Sequence, residues 1–132
     1  MQKISVRKGE ILQVLSNIVA NAIDAMPDGG RLQITTRQIL STARDSIQIQ
    51  IRDNGVGIPP EHLAKVFEPF FTTKGNVGTG IGLWVAQQLL EQRGGRITIT
   101  SSTSRGSSGT TVGIEIPFVF SPPDTARPKL AN

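Results

Sequence analysis

Hydrophobic positions fall into blocks of two different periods. From Glu10 to Met26 the apolar residues Ile11, Leu12, Leu15, Ile18, Val19, Ala22, Ile23 and Met26 recur at three-and-four spacing, which lines one side of an α-helix. Pro27-Asp28-Gly29-Gly30 stops that helix and turns the chain. Arg31 to Arg37 and Ser46 to Arg52 alternate apolar and polar residues and are rich in β-branched side chains, the pattern of two neighbouring antiparallel strands. The polar stretch from Gln38 to Asp45 is their exposed connection. Ile4 to Arg7 alternates briefly and predicts a first strand. Asp53 to Gly80 is rich in Gly and Pro, with one short helix predicted from Pro60 to Val66 because proline suits the first helical position. Ile81 to Arg93 predicts a second amphipathic helix, ended by Gly94-Gly95. Arg96 to Ser101 and Thr110 to Ile116 read as a closing hairpin. These elements predict an α/β (α+β) two-layer sandwich, a mixed sheet packed on one face by about three helices. Residues 1–118 are expected to form the domain, with its first strand partly missing, and 119–132 a disordered tail.

Composition narrows the class. At 132 residues the chain fits one domain with a single core. It has no cysteine, which excludes disulfides and thiolate metal sites. No apolar run is long enough to span a bilayer, and the first residues lack the apolar centre of a signal peptide. A soluble, cytoplasmic segment without membrane contact is the expectation. The net charge of +4 raises the question of nucleic acid. The basic residues are scattered, however, and no tyrosine is present to stack on bases. No nucleic-acid partner is therefore expected. The charge reads as a solvated basic surface, suited to an acidic protein partner.

Four segments carry candidate chemistry. Gln13, Asn17, Asn21 and Asp24 follow each other by four, four and three residues and share one helical stripe beside the apolar face. Such a stripe is equally a polar boundary. Two asparagines nevertheless cost helix propensity, and an amide oxygen is a good hard ligand for Mg²⁺. Asp53 closes a strand and opens Asn54-Gly55-Val56-Gly57. A carboxylate there is an acceptor for an exocyclic amine, and glycines let backbone approach a flat base. The same Asp-Asn-Gly is also an ordinary turn. Phe67, Phe70 and Phe71 form either a small core pinning a loop or a lid over a ligand, with Lys74 reaching phosphate. Gly78-Thr79-Gly80-Ile81-Gly82 precedes a helix, where backbone amides make an anion site. Its spacing matches neither the dinucleotide fingerprint nor a P-loop. The single histidine, His62, reads as a surface residue of the short helix.

Taken together, Gln13-Val14-Leu15-Ser16-Asn17-Ile18-Val19-Ala20-Asn21-Ala22, the Asp53-to-Pro59 segment, Val66-Phe67-Glu68-Pro69-Phe70-Phe71-Thr72-Thr73-Lys74 and Gly78-to-Leu83 resemble the N, G1, F and G2 boxes of the catalytic and ATP-binding domain of sensor histidine kinases. The run Asn21-Ala22-Ile23-Asp24-Ala25-Met26-Pro27-Asp28-Gly29-Gly30, with Phe67 to Lys74, looks most like the nitrogen-regulation branch of these kinases. The resemblance implies the Bergerat fold, shared with gyrase, mismatch-repair and heat-shock chaperone ATPases, and a mobile ATP lid between about Phe71 and Gly80. It implies ATP and Mg²⁺ as cofactors. Asn21 would be the Mg²⁺ ligand, with Asn17 beside the phosphates. Asp53 would accept the adenine amine, and Gly55 and Gly57 would shape that pocket. Lys74 would approach the phosphates from the lid, and Gly78, Gly80 and Gly82 would hold the β- and γ-phosphates. Asp24, Ile58, Phe67, Thr73, Thr79, Ile81 and Leu83 would complete the nucleotide contacts. Asn17, Asn21 and Lys74 would be the catalytic set.

The resemblance also implies the reaction, transfer of the γ-phosphoryl of ATP to a histidine. The gyrase-like ATPases carry a water-activating Glu where this chain has Asn17, so slow hydrolysis is expected. Glu10 is expected to be too far away to replace it. The phosphoacceptor motif of the family, His-Glu followed by an apolar and a basic residue and Pro, has no match here, and His62-Leu63-Ala64-Lys65 does not fit it. The expected partners are therefore a separate histidine-bearing dimerisation domain and, downstream, a response-regulator receiver domain. The chain is expected to be an excised or truncated module, unable to autophosphorylate in cis. Two other readings share the fold: a stand-alone serine kinase of the anti-sigma-factor type, and a nucleotide-binding module that never transfers phosphate.

Overall fold

The computed structural model describes residues 8–42, 44–69 and 82–118. In order they form α1 (Lys8–Asp24), β1 (Leu32–Ile39), β2 (Ser46–Asp53), α2 (Pro60–Leu63), α3 (Gly82–Glu91), β3 (Arg96–Ser102) and β4 (Gly109–Pro117). The first strand expected at Ile4 to Arg7, the lid expected between Phe71 and Gly80, and the 119–132 tail lie outside the described residues. Apart from α2, element ends differ by at most two residues from the expectation, as helix and strand boundaries commonly do.

The four strands lie in the order β1-β2-β4-β3, and every neighbouring pair is antiparallel. The expectation was a mixed sheet; among the described residues the pairing is antiparallel throughout. Short connections after β1 and β3 reverse the chain, which forces both hairpins to be antiparallel. The β3–β4 hairpin places β4 next to β2, and this central pair is antiparallel as well. Two layers remain, with the helices on one face, as the patterning predicts.

Register sorts the side chains. Across the sheet the helix-facing rows are Ile34–Ile51–Val112–Ile99 and Thr36–Ile49–Ile114–Ile97. Their β2, β3 and β4 members meet Val14 and Ile18 of α1 and Ala86 and Leu90 of α3 in one core, while Ile34 and Thr36 on the edge strand stay exposed. The opposite face is polar, for example in the row Arg37–Gln48–Glu115–Arg96. There Arg37 Nε donates to Gln48 Oε1 at 2.8 Å and Arg96 Nη2 pairs with Glu115 Oε1 at 3.1 Å.

Two boundaries have clear causes. The α3 helix ends in a Schellman motif: the Gly95 amide donates to the Leu90 carbonyl at 2.9 Å and the Gly94 amide to that of Glu91 at 3.1 Å. Gly94 takes φ +74° to make the turn. The α2 helix stops at Leu63, short of the expected Val66. Beyond it the bonds tighten to three-residue spacing, with Lys65 N–H on the His62 carbonyl and Glu68 N–H on that of Lys65, both at 2.9 Å. No helix among the described residues is long and apolar enough to cross a membrane.

Ile114 is fully buried at the centre of the sheet. Ile114→Ala is expected to lower unfolding free energy by about 3 kcal/mol in urea denaturation. Leu40→Ala, at a 73% exposed position, is expected to change it by less than about 0.5 kcal/mol.

Candidate functional site

The apolar face of the sheet does not stay apolar to its end. Its last row reads Leu32–Asp53–Thr110–Ser101, so a carboxylate and two hydroxyls stand where the rows behind them carry isoleucine and valine. Asp53 is only 6% exposed and Thr110 7%. The Gly55 amide donates to Asp53 Oδ1 at 2.8 Å. Ser101 Oγ donates to the Gly109 carbonyl, lies 2.8 Å from Thr110 Oγ1 and accepts the Ile58 amide, also at 2.8 Å.

The loop after β2 is tied down on three sides. Asn54 Oδ1 accepts the Arg31 amide at 2.7 Å, the Val56 amide donates to the Ala25 carbonyl at 3.0 Å, and Ile58 is held by Ser101. The glycines make this closeness possible. Gly57 takes φ +80°, and a Cβ there would run into the Ser102 carbonyl. A Cβ on Gly55 would meet the Ala25 carbonyl at the end of α1. Loop, helix end and strand ends thus enclose Asp53 from three directions, without space for side chains at either glycine.

On α1 the polar stripe lies next to the buried stripe of Val14, Ile18 and Ala22. Asn17 is half-buried, and its Nδ2 donates to the Gly82 carbonyl at the first residue of α3 at 3.1 Å. Its Oδ1 accepts weakly from Gln13 Nε2 at 3.4 Å. Asn21 is half-buried one turn further on and Asp24 is exposed, each with a polar partner of its own. Asn17, Asn21 and Ala25 therefore mark out about 12 Å of helix, from the start of α3 to the Asp53 loop. Glu10 is committed elsewhere: its Oε1 accepts Arg93 Nε at 3.2 Å and Nη2 at 2.9 Å.

The structure thus brings Asn17 together with Gly82, and Asp53 with Gly55, Gly57 and Ile58. Phe67 and Leu83 pack against the core. Phe67 therefore belongs to the main core. Phe70, Phe71, Thr73, Lys74, Gly78, Thr79, Gly80 and Ile81 lie outside the described residues. His62 is partly buried on α2. The described residues include no cluster of three or more His, Cys, Asp or Glu suited to a metal ion. Thr110 and Ser101 were absent from the sequence-derived set. Their signal was present in the alternation: both are polar residues in phase with the inward-facing Ile97, Ile99, Val112 and Ile114.

This geometry agrees with what the chain is similar to. The profile of the "Histidine kinase-, DNA gyrase B-, and HSP90-like ATPase" family matches residues 7–119. The sensor kinase CckA of Brucella abortus (strain 2308) is 38% identical over 76% of this chain, and this chain spans 12% of that protein's length. Among solved structures, the mycobacterial sensor histidine kinase MprB superimposes with a TM-score of 0.77 at 26% identity, covering 89% of this chain and 78% of that one. The nucleotide-free catalytic domain of histidine kinase ThkA superimposes with a TM-score of 0.71 at 33% identity, covering 86% of this chain and 71% of that one. The chain belongs to the histidine kinase-, DNA gyrase B- and HSP90-like ATPase family, and within it to the catalytic, ATP-binding domains of sensor histidine kinases.

Proposed function

We propose that this domain binds Mg-ATP and donates the γ-phosphoryl group to a histidine on a separate helical dimerisation domain, as the catalytic module of a two-component signalling kinase. The observation that carries this reading is the buried Asp53 at the polar end of the core face, closed in by Gly55 and Gly57. A carboxylate enclosed by backbone accepts an amine and favours adenine. Family membership supports ATP as the nucleotide. The runs Asn21 to Gly30 and Phe67 to Lys74 support a parent of the nitrogen-regulation type.

In this reading the adenine lies against Asp53, Gly55, Gly57 and Ile58, and the phosphates run along α1 towards Asn21, Asn17 and Gly82. Lys74, Thr73, Gly78, Thr79, Gly80 and Ile81 complete the phosphate end, and Asp24, Phe67 and Leu83 line the approach. The donor set suits magnesium: an amide oxygen from Asn21, with no carboxylate cluster beside it among the described residues, fits an ion held mainly by phosphate and water. When bound, Mg²⁺ would neutralise charge on the phosphate oxygens. The acceptor histidine nitrogen attacks the γ-phosphorus, the new N–P bond forms as the β–γ bridging P–O bond breaks, and ADP leaves with that bond's electrons.

Asn17 supports transfer over hydrolysis. An amide is no general base for water, and this one donates from Nδ2 to the Gly82 carbonyl. Glu10, the acidic residue two turns away on α1, is engaged by Arg93. The acceptor histidine is assigned to another domain because His62-Leu63-Ala64-Lys65 lacks the phosphoacceptor pattern. A receiver domain would take the phosphate onward, and the cytoplasm would be the compartment.

Calorimetric titration checks the site. Asp53→Asn is expected to weaken ADP by about 10–100-fold whether or not Mg²⁺ is present, the worth of a hydrogen bond to a charged group. Asn21→Ala is expected to keep metal-free binding and lose the gain from Mg²⁺. Unchanged ADP affinity in Asp53→Asn would contradict the adenine assignment.

Transfer is checked by mixing the chain with γ-³²P-ATP and a purified histidine-bearing dimerisation domain from a related kinase. Acid-labile, base-stable label is expected on that domain, with hydrolysis slow by comparison. Asn21→Ala is expected to reduce labelling on the order of 100-fold or more, given the several kcal/mol a metal supplies. Rapid phosphate release with no label on histidine would contradict the proposal, and label on a serine of an anti-sigma-type partner would favour the serine-kinase reading.

A further inference from the structure

The hydroxyl pair behind Asp53 has a fixed proton arrangement, and that arrangement bears on which base the pocket accepts. Ser101 Oγ has three neighbours at 2.8 Å: the Gly109 carbonyl, the Ile58 amide and Thr110 Oγ1. A serine hydroxyl owns one proton and two lone pairs. The Gly109 carbonyl has no proton to give, so the Ser101 proton goes there. The Ile58 N–H fills one lone pair. The remaining contact, with Thr110, must then be made by the Thr110 proton.

Thr110 Oγ1 is therefore left with lone pairs only. It stands directly opposite Asp53 in the β2–β4 register, on the same face of the sheet. Side chains opposed in this way have Cβ atoms about 5 Å apart. Asp53 Oδ1 takes the Gly55 amide. The carboxylate has a second acceptor oxygen, Oδ2, beside it. Two acceptors, one charged and one neutral, thus stand side by side at the end of this row.

We propose that Ser101 is a positioning residue for base recognition. By taking the Thr110 proton it leaves Asp53 and Thr110 as a pair of acceptors that admit a 6-aminopurine, directly or through a water, and reject a 6-oxopurine. This rests on the reading of the site as a nucleotide pocket and goes beyond it by naming what sets its selectivity. The 6-amino group offers two protons to two acceptors. A 6-oxo group sets a third oxygen against them, the arrangement that buried polar sites discriminate against most strongly. In Ser101→Ala the Thr110 hydroxyl loses its acceptor. Its proton then turns to Asp53, occupying the carboxylate, or into the pocket, where it favours an oxo group.

The test is calorimetric titration of the full chain with ADP and with inosine diphosphate, without metal, which differ at the 6-position. The wild-type chain is expected to prefer ADP. Ser101→Ala is expected to lower the ADP-to-IDP affinity ratio roughly tenfold, the worth of one hydrogen bond, and Ser101→Thr to restore it. Thr110→Val, which keeps the Ser101 bonds to Gly109 and Ile58, is expected to lose the same preference and serves if Ser101→Ala unfolds. A purely structural role for Ser101 would weaken both nucleotides equally, and that result overturns the inference. So does a wild-type chain that binds both equally, while leaving the nucleotide reading intact. A wild-type chain that binds neither overturns both.

Discussion

Asp53 is a carboxylate with 6% of its surface exposed, at the end of a strand whose other inward residues are isoleucines. Taking a charge out of water costs several kcal/mol unless nearby dipoles replace the solvent. Here the Gly55 amide turns back on the carboxylate, and the chain beyond is tied to α1 by Val56 and to β3 by Ile58. Those ties require glycine at 55 and 57, because the Ala25 and Ser102 carbonyls occupy the space a Cβ would need. The shape of the loop, the end of α1 and the hairpin turn near Gly109 all follow from keeping one carboxylate dry but available.

The first helix links this end of the site to the other. Its buried stripe, Val14, Ile18 and Ala22, fixes its height above the sheet. The neighbouring stripe then has a set direction, so Asn17 meets the first residue of α3 and the Asn21 turn lies between Asn17 and the Asp53 loop. Packing energy from the apolar stripe thus positions polar groups that contribute little stability of their own. The Glu10–Arg93 pair joins the same two helices at their other ends. It is partly exposed, which limits its contribution to about 1 kcal/mol. Its greater consequence is that the acidic residue near Asn17 is occupied.

Much of this was legible in the sequence because local patterns dictate it. Helical spacing gave α1 and α3, alternation gave the four described strands, and Gly94-Gly95 marked the helix end that the Schellman bonds complete. Asp53 stood out because it follows a strand and precedes glycines. What local patterns could not supply was pairing. Strand direction depends on which strands become neighbours, so a mixed sheet was expected, whereas the four described strands pair antiparallel. Thr110 and Ser101 acquire meaning only when register sets them beside Asp53, since a threonine or serine in a strand is otherwise unremarked. The Asn17 bond to Gly82 spans 65 residues and likewise follows from packing. The short α2 was overestimated because the apolar residues after Leu63 suit a helix, although the backbone tightens there.

The central claim is that the polar end of the core face, the glycine loop and the asparagine stripe form one nucleotide site. Amide NMR of the ¹⁵N-labelled chain, titrated with ADP and Mg²⁺, tests it most directly. The account predicts saturable shifts concentrated at Gly55, Gly57, Ile58 and Thr110, continuing to Asn21, Asn17 and Gly82, with the Gln48, Gln50 and Thr98 face unmoved. Shifts confined to that opposite face, or none at millimolar nucleotide, would contradict it.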